Sequence, residues 1–352
     1  MSLLFSNFPP LRTSRESYPE KFHRLLKDCD ELNIASGYIS SDSAIDLKNI
    51  IEANGGPKLN LCVGMHFFDG LTEVQKVSLE SLNSMLIERE LGRVYFVDIF
   101  PFHGKLSSFK YRGEQVASIV GSSNLSNIVS GQRLYEADYI IKDDADAIEL
   151  DTFISELILT SSSPFDEITV KTIEPQNPLL NDQYDVEKLA PNETAEFRAR
   201  LSSLSFEIPL KADEAPRSNL NPFFGEGRRN QQGFVMPRPW YEVELIVSNT
   251  ITGQEGYPRP DASGNGGVFE VVTDDGWEFK CKVSGDYGKN LRSDGDLKIL
   301  GKWIKGRLEN AGKLKPGDLV TDEILRRYGR NTISLTKINE SEKWFLDFGV
   351  SA

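Results

Sequence analysis

The feature that most constrains this chain is a break in its patterning. Residues 161–192 (SSSPFDEITV…EPQNPLLNDQYDVEKLAPN) are polar and rich in Pro and Asn, and the apolar pattern differs on either side of them. A chain of 352 residues can hold two domains with separate cores. The expectation is one domain over residues 1–165, a linker over 166–200 and a second domain over 201–352.

Before the break, strand-length runs alternate with helical spacing. Residues 32–40 (LNIASGYIS) and 59–65 (LNLCVGM) read as strands around a helix over 41–53. Thr72 can cap a helix that carries Val74, Val77, Leu82, Met85 and Leu86 near one face. Residues 93–100, 102–111, 115–120 and 134–141 read as consecutive strands, and 144–159 as a closing helix. This pattern predicts an α/β sandwich around a mixed sheet. After the break, strands are expected over 204–210, 241–247, 267–273, 277–283, 319–321 and 332–337, with one helix over 300–311. Many short strands with one helix predict a β-rich barrel or pseudobarrel.

The chain begins without the basic region and apolar run of a signal peptide, and no apolar stretch is long enough to span a bilayer. Cys29, Cys62 and Cys281 are too scattered for a disulfide framework or a zinc site. A cytoplasmic protein with no membrane partner is expected. The net charge of −13 argues against nucleic acid, since phosphate contacts need Lys and Arg. A local basic patch can nevertheless coexist with an acidic remainder, so motifs decide the question.

The strongest motif is Phe102-His103-Gly104-Lys105, followed by Gly121-Ser122-Ser123-Asn124 and then Glu136. Side chains alternate along a strand, so His103 and Lys105 share a face, and the same period puts Ser122 and Asn124 on one face of the next strand. Such a group suits attack on a phosphodiester. The imidazole of His103 is the nucleophile, and Lys105 and Asn124 hold the non-bridging oxygens. Glu136 can hydrogen-bond the second imidazole nitrogen and fix the tautomer, with Ser122 as a further candidate. A lone His-x-Lys is more often structural; the ordered combination makes the functional case. His23 and His66 lack such company and read as structural or surface residues. No Asp/Glu cluster has magnesium-nuclease spacing, so no metal is expected in this chain.

In the second half, Arg228-Arg229-Asn230-Gln231 lies in a Gly/Asn-rich segment. Residues 287–315 concentrate Lys289, Arg292, Lys298, Lys302, Lys305, Arg307, Lys313 and Lys315. Arg228, Arg229, Asn230, Gln231, Lys289, Asn290, Arg292, Ser293 and Asp294 are of types that read base edges, and Lys302 and Lys305 are candidate phosphate contacts. A charge run alone is usually a solvated face.

The first set of residues resembles the phospholipase D superfamily, whose signature runs His-x-Lys, an Asp, then Gly-Ser-x-Asn. Here Lys110 occupies the Asp position, a departure that fits the restriction-enzyme branch (BfiI and NgoFVII types) rather than a lipase. The order KNLRS, LKILGKWIKGRL and Lys315-Pro316-Gly317-Asp318 resembles the plant B-three DNA-binding pseudobarrel, with arms at 211–236 and 285–296. With GWEFKCK and YGRNTISLTK, the whole is similar to the NgoFVII (NgoAVII-like) restriction endonucleases. The resemblance implies recognition of a short GC-rich site in double-stranded DNA and metal-independent cleavage through phosphohistidine. Superfamily members use two histidines, so a single His-x-Lys implies a homodimer through the nuclease domain. The resemblance also implies an ATP-dependent, helicase-like partner that uses ATP and magnesium, and a companion DNA methyltransferase. No Walker motif occurs in this chain. The rival readings are a regulator with an inactive nuclease-like dimerisation domain and a lipid hydrolase.

Overall fold

The computed structural model describes residues 2–126, 128, 134–142, 144–173, 180, 183–212, 219–225, 227–259 and 267–350. It divides into two units, Met1–Gln176 with Gly227–Pro237 and Asn177–Glu226 with Arg238–Ala352.

The first unit is built from β1 (Ser2–Phe5), α1 (Tyr18–Asp28), β2 (Glu31–Ser36), α2 (Ser41–Asn54), β3 (Lys58–Val63), α3 (Glu73–Glu88), β4 (Gly92–Val97), β5 (Lys105–Tyr111), β6 (Glu114–Gly121), β7 (Ala137–Ile141), α4 (Asp144–Ser161) and β8 (Ser162–Pro164). The sheet order is β1-β7-β6-β5-β2-β3-β4-β8. The strands β2, β3 and β4 are parallel to one another, and β5 pairs antiparallel to β2. These central strands bury both faces, as parallel strands between helices do. Leu32, Ile34, Leu59, Leu61, Val94 and Phe96 pack with α1, α2 and α3, while Ala35, Cys62 and Val97 meet Ile154 and Leu157 of α4. Local signals set the helix bounds: Ser40 accepts from the Ser43 amide at 3.3 Å, and Thr72 accepts from the Gln75 amide at 3.2 Å.

The stretch expected to be a linker is structured at both ends. Val170 is buried in the first core, and Thr172–Ile173 pairs in parallel with Leu71–Thr72. At the other end, Glu187–Lys188 pairs with Trp277–Glu278, and α5 (Pro191–Ala199) belongs to the second unit.

The second unit contains β9 (Leu201–Pro209), β10 (Leu245–Ile246), β11 (Val268–Thr273), β12 (Trp277–Ser284), β13 (Asn290–Ser293), α6 (Lys298–Asn310), α7 (Asp322–Tyr328), β14 (Thr332–Ile338) and β15 (Trp344–Asp347). Their order, β9-β14-β15-β11-β12-β13-β10, makes a curled half-barrel whose end strands are not paired with each other among the described residues. Trp277, Phe279, Cys281 and Val283 of β12 point inward, and the residues between them face outward. Residues 319–321 form no strand; Thr321 instead caps α7, accepting from the Ile324 amide at 3.3 Å. The expected arm at 285–296 contains β13, because its backbone completes the ladder with β12.

Candidate active site and nucleic-acid interface

The catalytic candidates meet at one end of the first sheet. His103 lies two residues before β5, whose first residue, Lys105, pairs in register with Ser36 of β2. Next to it, β6 ends at Gly121, opposite Asp138 of β7. Ser122 and Asn124 therefore lie in the loop beyond β6, and strand alternation does not align them. Hydrogen bonds do. The Asp138 carboxylate accepts from the Ser123 hydroxyl at 2.6 Å and the Ser123 amide at 3.0 Å. The Leu125 amide donates to Ser36 Oγ at 3.0 Å. Asn124 Oδ1 accepts from the Tyr38 amide at 3.3 Å.

Lys105 Nζ lies 3.1 Å from His103 Nδ1 and 3.2 Å from Nε2, and donates to the His103 carbonyl at 2.6 Å. Partial burial pulls the Lys105 ammonium below its ordinary pKa, and the nearby Glu136 carboxylate opposes that shift. The Glu136 carboxylate accepts a short hydrogen bond from Ser122 Oγ, which in turn accepts from the Ala137 amide at 3.0 Å. Glu136 was expected to orient the imidazole; among the described residues its carboxylate is instead engaged by Ser122 and acts electrostatically on Lys105. The group offers a nucleophilic imidazole, a cation beside it and an amide held by backbone.

The departure at Lys110 has a physical account. It alternates to the opposite face of β5 from Lys105, where its ammonium is 3.1 Å from Asp151 and makes a short ion pair with Glu31. Asp151 also accepts from Asn33 at 2.9 Å and Ser108 at 2.7 Å. The cation at this position ties β5 to α4 and takes no part in the cluster around His103.

The other two histidines are committed elsewhere. His66 is buried, with Nδ1 2.9 Å from the Gly70 carbonyl and Nε2 3.2 Å from the Ile39 carbonyl. Burial lowers the pKa of His23 to about 4. Among the described residues, no group of three or more His, Cys, Asp or Glu side chains forms a metal-binding set.

The reading residues separate into three groups. Arg228 and Arg229 are exposed on a hairpin whose strands pair Arg228 with Met236 and Arg229 with Val235. This hairpin belongs to the first unit: the Val235 amide donates to Asn54 Oδ1 at 2.9 Å, and Phe234 and Met236 pack against the core. Asn230 shapes the turn, its Oδ1 accepting from the amides of Gln232 at 3.0 Å and Phe234 at 3.1 Å, beside exposed Gln231.

The second group is on the half-barrel. Asn290 and Arg292 take the more open positions of β13, with Arg292 in register with Lys282 of β12. Lys280 joins them on the outward face of β12, and Lys282 lies 4.0 Å from Asp294. Lys289 is 3.7 Å from Asp286. Lys280 and Lys282 fall outside the charge run, but the alternation of Glu278, Lys280, Lys282 and Ser284 with inward residues is readable in the sequence.

The third group is inside. Ser293 is buried, donating to the Asp296 carbonyl at 2.7 Å and accepting from the Leu300 amide at 3.2 Å, so it braces the start of α6 rather than facing a base. Lys302 and Lys305 are also buried, which corrects the expectation that they touch phosphate. Lys305 Nζ makes a short hydrogen bond to the Trp240 carbonyl and lies 4.0 Å from the Trp240 ring centroid; Lys302 Nζ is 5.8 Å from that of Tyr241. Burial lowers Lys305 to about 7 and raises Glu309 to about 7. Glu309 accepts from Trp240 Nε1 at 3.3 Å and Tyr241 Oη at 3.1 Å. Gly301 lets α6 approach this layer, since a Cβ there would fall 1.7 Å from the Tyr241 carbonyl oxygen.

Residues 19–170 match the family of the NgoFVII restriction endonuclease N-terminal PLD domain. Residues 197–339 match the NgoFVII C-terminal B3-like DNA-binding domain. No curated protein matches the chain.

Proposed function

The chain belongs to the NgoFVII restriction endonuclease family, with a PLD nuclease domain and a DNA-binding domain, and we propose that it cuts DNA through a phosphohistidine at His103. The convergence of His103, Lys105 and Asn124 at one sheet end carries this reading. In the proposed reaction, one imidazole nitrogen of His103 attacks phosphorus and the P–O bond to one sugar oxygen breaks. That oxygen takes its proton from a second imidazole acting as general acid. Water then attacks the phosphorus–nitrogen bond, giving up a proton to the same second imidazole and restoring His103. Lys105 and the Asn124 amide stabilise charge on the non-bridging oxygens.

His66 has both ring nitrogens engaged, and His23 is buried on α1. A second copy of this chain is therefore the proposed source of the general acid, and the working species a homodimer through the nuclease unit. The mechanism uses no metal or cofactor in this chain. We place the recognition of a short GC-rich duplex in the second domain, where Arg292, Asn290, Lys280 and Lys282 support DNA binding. A helicase-like, ATP- and magnesium-using subunit and a companion methyltransferase complete the proposed system in the cytoplasm.

Incubating the chain with supercoiled plasmid in EDTA tests the chemistry. Wild type should cut, and His103→Ala should lose cutting by at least about 10⁴-fold while still binding DNA. Activity that vanishes with EDTA and returns with magnesium, or an active His103→Ala, would refute the mechanism.

A further inference from the structure

The segment after β2 crosses the end of the sheet between the two halves of the site. The Gly37 amide donates to the Gly104 carbonyl at 2.9 Å, and the Gly37 carbonyl accepts from the Met65 amide at 2.9 Å. A Cβ at Gly37 would lie 3.1 Å from His103 Cδ2 and 3.3 Å from His103 Cα, so this position must stay small for the imidazole to keep its seat. The next residue, Tyr38, holds Asn124 through its amide. Its ring stands edge-to-face with that of His103, the centroids 5.7 Å apart and the planes at 78°. The Tyr38 hydroxyl donates to Asp69 Oδ2 at 2.6 Å. Its ring also stands edge-to-face with His66 at 5.3 Å, and His66 is itself pinned by backbone carbonyls.

We infer that Tyr38, anchored by Asp69, is a positioning residue that holds the imidazole of His103 in line for attack. The inference rests on the nuclease reading of His103. A histidine turns about two side-chain bonds, and attack on phosphorus requires one ring nitrogen on the axis opposite the leaving oxygen. Lys105 meets the ring nitrogens, while Tyr38 flanks the ring plane. Without the bond to Asp69 the phenol can turn and release the imidazole. The same hydrogen bond raises the Tyr38 pKa above its ordinary value.

The test uses the full chain with Tyr38→Phe, Tyr38→Leu, Asp69→Ala and Asp69→Asn. One readout is kcat against KM for plasmid cleavage. The other is the ring NMR spectrum of histidine-labelled protein, which has three histidines to resolve, His103→Ala assigning the relevant signal. Tyr38→Phe and Asp69→Ala should lower kcat roughly 10- to 100-fold at unchanged KM, and Asp69→Asn should restore most of the loss. The His103 ring signal should broaden or move in the first two variants while that of His23 stays in place.

An unchanged kcat with an unmoved His103 signal would overturn the inference, as would a rise in KM alone. If wild type cuts no DNA, the nuclease reading fails, and the ring signal still decides whether Tyr38 fixes the imidazole. Should Tyr38→Leu fail to fold, Tyr38→Phe carries the decision.

Discussion

The two functional regions use their charged residues differently. In the first unit, Lys105 is fixed beside His103 at a strand end, where register and neighbouring backbone leave it little choice of direction. In the second unit, the charge run does not say which lysines face solvent: its Lys302 and Lys305 turn inward on α6, while Lys280 and Lys282, on a strand outside it, turn outward. Spacing within a motif encodes local geometry. A charge run does not, because which face of a helix is buried depends on partners distant in sequence. Trp240 and Tyr241, which cover Lys305 and Lys302, lie about sixty residues upstream.

The first way to break this comparison is at the nuclease site, where the largest effect is expected. Lys105→Ala should lower the cleavage rate about 10²- to 10³-fold, the range for removing a preorganised charge partner of the transition state. Affinity for cognate DNA should hardly move. A large loss of affinity with an intact rate at saturation would instead make Lys105 a ground-state DNA ligand.

The second test sharpens the contrast among cations of the half-barrel. Arg292→Ala should cost about 1–3 kcal/mol on cognate DNA and little on random DNA if its guanidinium pairs with a guanine. Lys280→Ala and Lys282→Ala should weaken both and reduce the salt slope by about 0.9 for each phosphate no longer neutralised. Lys305→Met should leave the salt slope unchanged, since its ammonium is buried against Trp240. Competition binding at several salt concentrations separates these outcomes. A flattened slope in Lys305→Met would mean that α6 exposes this face to DNA.

How much is legible in the sequence follows the same division. The α/β pattern of the first unit, the Thr72 cap and the His103–Lys105 pair are readable because each depends on neighbours within a few residues. The placement of Ser122 and Asn124 is legible in position but not in cause: the chain leaves the strand at Gly121, and Asp138, Ser36 and Tyr38 hold the loop from afar. Tyr38 itself lies within a segment whose pattern reads only as strand. The hairpin carrying Arg228 and Arg229 reads as part of an arm of the second domain, yet Asn54, Phe234 and Met236 anchor it to the first unit. No local pattern announces such a long-range clasp.

The smallest expected effect concerns stability of the first unit. The imidazole of His23 stands edge-to-face with Phe22 at 6.4 Å, its Nε2 buried without a hydrogen-bond partner, and burial holds its pKa at about 4. A histidine in the unfolded chain titrates near 6.5, so between those two values the unfolded state binds more protons than the folded state. Stability therefore rises with pH across that window, and is lost as pH falls from about 6.5 towards 4. From pH 7.5 to 5.5 the loss should be about 1 kcal/mol. His23→Leu fills the site with an apolar group that never charges, so the difference in unfolding free energy between variant and wild type should widen by that amount as pH falls. Carboxylates titrating in the same window affect both proteins alike and cancel in the difference. Chemical denaturation followed at several pH values measures it directly. A pH-independent difference would show that His23 is protonated in the folded unit as readily as in the unfolded chain, and that its burial does not govern its charge.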